Sequence, residues 1–205
     1  MRESVSVRFR FAMSAVVASA LLFLTAAGLR PQTTAASGGA SQRQEGLEAF
    51  RGIASVLRSP RCLNCHPTGN IPRQGDDRHP HSNLVRRGPD GKGVPGQVCS
   101  TCHQAENNAA SGVPGKPNWH LAPLSMGWEG LSDAQLCRAL KDPRRNGGRD
   151  LKALEEHIGH DPLVAHGWDP GGARKAVPIS HEEVVRLTET WVAAGGPCPS
   201  LAVAR

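Results

Sequence analysis

Two pentapeptides constrain this chain more than anything else in it: CLNCH, from Cys62 to His66, and CSTCH, from Cys99 to His103. Each sets two thiols three positions apart, with an imidazole directly after the second. On one helical turn, sulfurs so spaced reach the two vinyl groups of a single porphyrin and form thioethers, while the adjacent imidazole turns onto the iron. The order is that of c-type haem attachment. Two copies therefore imply two covalently bound haem c groups, tethered by Cys62, Cys65, Cys99 and Cys102, with His66 and His103 as proximal iron ligands. The rival chemistry is a zinc site made from the four thiolates. Against it stand the long gap between the pairs, the trailing His on both, and an N-terminus that reads as an export signal.

That N-terminus has a basic stretch ending at Arg10, an apolar run from Phe11 to Leu24, and the small residues Ala26, Ala27 and Gly28 where a peptidase cuts. Residues 1–27 are expected to be a cleaved Sec-type signal peptide, with an uncleaved anchor as the alternative. The expected location is the periplasm, where c-type haem is attached, with no membrane span after cleavage. The signal also holds Arg2, Arg8 and Arg10 against Glu3, so the formal +6 of the whole chain falls to +4, from 21 basic and 17 acidic residues. Haem propionates offset that further, which argues against a nucleic-acid partner. Only Phe50 and four Trp remain as aromatic residues beyond residue 27, and there is no Tyr. With 23 Gly and 16 Pro, the chain is poorly supplied for a conventional core, and two porphyrins would provide the missing apolar bulk.

The expected organisation is a flexible spacer over 28–45, a dihaem-binding region over 46–130, and a C-terminal helical cover over 131–205 in the same domain. Gly46 to Arg58 places Leu47, Phe50, Ile53, Ala54 and Leu57 on one helical face, and Ser59-Pro60 stops that helix before Cys62. Both haem segments read C-x-x-C-H-x-x-x-N, through Asn70 and Asn107, and both run on through a Pro/Gly-rich loop to a second His. Those residues, His81 and His120, are candidate distal ligands, either for their own haem or crossed to its neighbour. The loop from Gly88 to Gly96 is turn-rich and is expected to lack regular structure. Met126 is a weaker candidate ligand, and Trp128 is expected to cover a haem face.

Farther on, Ser132 and Gln135 form a capping box for a helix that Asp142-Pro143 ends. Asp150 caps a second helix in which His157 shares a face with Leu151, Leu154 and Ile158, making His157 a third candidate distal ligand. His79, His160 and His166 are weaker candidates, and His181 falls in the exposed first turn of a last helix that opens with Ser180 and Glu183. Cys137 and Cys198 are the cysteines outside the haem motifs, and in an exported protein they are expected to pair as a disulfide.

The segments CLNCHPTG, RRGPDGKGVPG, CSTCHQAEN, PNWHLAPLSMGWEG, LCRALKDPRRNGG and WVAAGGPCP are similar to small exported dihaem cytochromes c labelled as isoquinoline 1-oxidoreductase subunits. The resemblance runs from about Arg61 to Pro199 and implies the same haem tethers already named. It also implies a link to molybdenum hydroxylases, although the chain lacks the C-x4-C-x2-C iron-sulfur pattern, so its place there would be the electron-accepting subunit. The expected fold is mainly α with much irregular loop, a dihaem cytochrome c built around its two haems. The expected function is single-electron transfer between a dehydrogenase and a downstream cytochrome or oxidase, without enzymatic turnover of its own. The alternative is a small peroxidase-like haem enzyme or sensor with one open iron site.

Overall fold

A computed structural model of the chain describes residues 33–201, with side chains from Gly38 onward. The expected signal peptide and the first residues of the expected spacer lie outside the described residues. The chain divides between Ser37 and Gly38, and the contacts below belong to the unit that starts at Gly38.

The described chain is mainly helical, with long irregular loops between the helices. Helix α1 spans Thr33–Leu57. It therefore takes in much of the segment expected to be a flexible spacer, because Ala40, Gln42, Gln44 and Glu45 are compatible with helix. Two side-chain pairs four apart, Ser41 with Glu45 and Gln44 with Glu48, brace its exposed face. The short helix α2, Pro60–Leu63, follows with Ser59 as N-cap and carries Cys62. Two small antiparallel ladders interrupt the loops: β1 (Arg73–Gln74) with β2 (His79–Pro80), and β3 (Gly93–Val94) with β4 (Gln97–Val98). The second ladder corrects the expectation of no regular structure over Gly88 to Gly96. Gly88 explains the tight path there: its φ is +69°, and a Cβ would fall 1.9 Å from the Gly93 carbonyl oxygen.

The C-terminal helices follow their sequence signals closely. α3 spans Asp133–Lys141 with the complete Ser132/Gln135 capping box, and Asp142 ends it. α4 spans Leu151–His160 with the Asp150 carboxylate accepting the Ala153 N–H. α5 spans His181–Ala193, capped by Ser180, whose hydroxyl accepts the Glu183 N–H.

One apolar cluster joins these parts. Phe50, Ile53 and Leu57 from α1 meet Leu136, Cys137 and Leu140 from α3, Leu154 from α4 and Trp191 from α5, with Phe50 and Trp191 at 5.5 Å between ring centroids. Cys137 and Cys198 lie in or against this cluster at disulfide distance, 1.98 Å between sulfurs, joining α3 to the segment after α5. Among the described residues no helix is long and apolar enough to cross a membrane.

Candidate functional site

The first motif starts on α2 and turns out of it, because Pro60 supplies a favourable first helical position and the Asn64, Cys65 and His66 N–H groups close turns back onto Pro60 and Cys62. His66 is then fixed from far along the chain. Its Nδ1 lies 2.8 Å from the Met126 carbonyl, and its ring stacks on Trp128 at 3.4 Å and 12°. The second motif opens with the 3-10 turn Cys99–Thr101, and His103 is held in the same way. Its Nδ1 lies 2.7 Å from the Pro114 carbonyl, and its ring stacks on Trp119 at 4.2 Å and 2°.

This shared arrangement has a definite chemical consequence. A carbonyl oxygen only accepts, so each Nδ1 must carry the hydrogen and each Nε2 must present its lone pair. Burial adds to this by disfavouring the imidazolium: it pushes the His66 pKa down to about 3 and lowers that of His103. Both rings are thereby prepared to bind a metal through Nε2, and Trp128 both stacks on His66 and lines the cavity beside it.

The three candidate distal residues carry the same signature. His81 Nδ1 donates to the Ser82 carbonyl at 2.7 Å, His120 Nδ1 to the Asn118 carbonyl, and His157 Nδ1 to the Asp161 carboxylate at 2.9 Å. The remaining histidines differ. His79 engages both ring nitrogens, with Asp77 and Gln74; His181 turns its Nε2 to the Ile158 carbonyl; His166 leaves a buried Nδ1 without a partner; His160 is exposed at the end of α4. His181 is half-buried against Trp168 rather than exposed as its helix position suggested.

Cavities sort the five prepared imidazoles. One is lined by Cys62, Cys65 and His66 together with His120 and His157, with Leu57, Leu140, Leu154 and Ile158 among its apolar walls. A second is lined by Cys99, Cys102 and His103 together with His81, His120 and Trp119, and with Val85, Val98 and Leu121. A neighbouring, more polar cavity again holds His81, Cys102 and His103 and is bordered by Arg61 and Arg174. His81 thus sits beside the second motif, 6.1 Å from His103 between ring centroids, and Cys65 of the preceding motif borders the same polar cavity. His120 borders both motif cavities.

The four motif cysteines are unpaired with one another. Burial raises the thiol pKa of Cys62 to about 12 and of Cys65 to about 11, and raises that of Cys99, which keeps them neutral. Among the described residues no group of three His, Cys, Asp and Glu side chains is placed to hold one metal ion. Each motif cavity instead gathers two thiols, an adjacent imidazole with a free Nε2, a second such imidazole and apolar walls. That donor set fits one c-type haem per cavity. Met126, the weaker candidate ligand, is buried in the core cluster, lines the cavity of the first motif, and its carbonyl accepts from His66 Nδ1.

Several residues that matter to the site gave no sequence signal. Arg87 is buried and donates to the carbonyls of Pro67, Gly69 and Ala122, pinning the segment after the first motif. Arg61 is buried beside Cys62, with one guanidinium nitrogen on Gly75 O and Asp76. Asp161 orients His157. Each works through contacts between segments distant in sequence, which no local pattern encodes. No family model matches the chain, and neither the curated proteins nor the solved structures give a significant match.

Proposed function

We propose that the chain is an exported dihaem c-type cytochrome that carries single electrons between a dehydrogenase and a downstream acceptor. The observation that carries this reading is the common state of His66, His103, His81, His120 and His157. All five give Nδ1–H to an acceptor-only oxygen, and they are distributed over two cavities that each contain one C-x-x-C-H motif. Haem c, once attached, supplies a one-electron ferric/ferrous couple.

The chain's own residues do the rest. Cys62 and Cys65 tether one haem and Cys99 and Cys102 the other. His66 and His103 hold the proximal positions, fixed in orientation by the Met126 and Pro114 carbonyls and by stacked Trp128 and Trp119. His157 in the first cavity and His81 in the second would hold the haem irons opposite His66 and His103, so that the ligands would cross between the segments that follow the two motifs. His120, which borders both cavities, is the reserve ligand. Leu57, Leu140 and Leu154 give the first site part of its apolar wall. Two imidazoles held this rigidly at each haem would leave oxidation and reduction little rearrangement, which suits transfer rather than turnover. On the resemblance of its motifs, the donor class is a molybdenum hydroxylase, in the periplasm.

Carbon monoxide added to the dithionite-reduced holoprotein tests the reading. Two low-spin haems that do not bind it are expected; a high-spin haem that binds carbon monoxide or peroxide in the unmodified protein would assign it to catalysis or sensing instead.

A further inference from the structure

The five prepared imidazoles differ in one respect. Four donate Nδ1–H to a backbone carbonyl, whereas His157 donates to a carboxylate, Asp161 Oδ2, at 2.9 Å. The carboxylate is firmly placed. Its other oxygen accepts the Leu163 N–H at 2.8 Å, its backbone carbonyl accepts the Ala165 N–H at 3.0 Å, and its side chain is about two-thirds buried, with 32 % exposed. Among the described residues His157 is its ion-pair partner, and no lysine or arginine lies within salt-bridge distance to neutralise it. Arg149 borders the same cavity, but its guanidinium is held by the Asn146 carbonyl at 2.8 Å.

A full negative charge on Nδ1–H draws the proton away from the ring more strongly than a carbonyl dipole does. The ring then donates more electron density through Nε2, and the added charge favours the more positive oxidation state of a bound metal. We propose that Asp161 is a positioning residue that makes the haem of the Cys62–His66 motif the lower-potential member of the pair. This rests on the dihaem reading and on His157 as that haem's distal ligand. The haem of the Cys99–His103 motif, with carbonyl acceptors on both His103 and His81, is the higher-potential member and holds the electron in the half-reduced protein. That site is also the more exposed one: Cys102 is exposed, and Val98 at its rim is 45 % exposed. The order of potentials therefore rests the electron at the better-exposed haem, where an acceptor protein can approach.

The test is a spectroelectrochemical titration of intact holoprotein, with the two midpoints resolved, for the unmodified chain, D161N and D161E. Removing the charge in D161N is expected to shift the ferric-to-ferrous balance of one haem about tenfold toward ferrous, equivalent to about 59 mV for one electron, and to leave the other midpoint in place. D161E, which restores a carboxylate, should recover most of the shift. D161S, whose hydroxyl still accepts the Leu163 N–H, serves where the amide perturbs the turn. Midpoints that stay put in D161N and D161S, or that move together by the same amount, overturn the inference while the dihaem reading stands. An unmodified protein without covalent haem overturns both.

Discussion

Cutting the link between Cys137 and Cys198 gives the most quantitative prediction. The two residues are separated by 61 positions, and the enclosed segment contains α4 with His157 and all of α5. The loop-entropy relation for a closed loop of about 60 residues gives roughly 4 kcal/mol at 25 °C, within the range of about 2–5 kcal/mol found on removing native bonds. For the roughly 170 described residues, an unfolding entropy near 2 cal/mol/K per residue turns this into a fall in Tm of about 10–12 °C. The double variant C137A/C198A avoids leaving a free thiol, and Ala fits the buried position of Cys137. Guanidinium denaturation followed by far-ultraviolet circular dichroism measures the loss. Following the haem absorption in the same titration adds a second expectation: low-spin ligation by His157 should fail at lower denaturant than ligation by His81, which lies outside the loop. A stability change below about 1 kcal/mol would show that the closed loop does not constrain the unfolded chain and would refute the reasoning.

Other expectations follow from single positions. His166 is 7 % exposed, and burial, with Arg61, Arg174 and Lys116 nearby, lowers its pKa to about 4. Between pH 6.5 and 4 the unfolded chain then binds a proton that the folded chain refuses. Stability is fully present above about pH 6.5 and falls as pH drops toward 4, by about 3 kcal/mol in all. H166Q should flatten that slope in Tm measurements across the window, and an unchanged slope would contradict the assignment. A Cβ at Gly115 would lie 2.1 Å from the Glu106 carbonyl and 2.4 Å from that of Gln104, so G115A must move the backbone that presents the Pro114 carbonyl to His103. It is expected to cost about 1–3 kcal/mol and to disturb the spectrum of one haem only. H157A and H81A should each open one iron, so that the reduced variants take up one carbon monoxide per chain. Uptake by neither variant would assign the distal positions elsewhere, with His120 first in line.

Local chemistry was well legible in the sequence. Ser132, Gln135, Asp142 and Asp150 marked the ends of α3 and α4 correctly, because capping satisfies backbone groups within a few residues of the cap. The apolar face of α1 from Leu47 to Leu57 was also legible, but its start at Thr33 was not: polar small residues before Glu45 read as a linker until their positions on a continuing helix are seen. The two ladders of two residues each are too short to leave an alternating pattern. At the site, residue types and motif spacing pointed to five histidines whose Nδ1 bonds a carbonyl or carboxylate oxygen in the structure. They did not indicate that His81 sits beside His103, since that depends on the chain folding back through β1 and β2. Nor did they distinguish Asp161 from any other helix-terminal carboxylate. The acceptor on His66 comes from a residue 60 positions away, a relation set by tertiary packing alone.

The central claim is two thioether-bound haems on one chain, and one denaturing assay tests it directly. Holoprotein unfolded without reductant is counted for covalent haem by its alkaline pyridine spectrum and for reactive thiols by a colorimetric reagent. On the proposed reading all six cysteines are accounted for: the four motif cysteines, unpaired in the structure, would be in thioethers, and Cys137 and Cys198 pair with each other. The expected result is two haems per chain and no reactive thiol, rising to two thiols after reduction. A chain that shows no covalent haem and four reactive thiols contradicts the account.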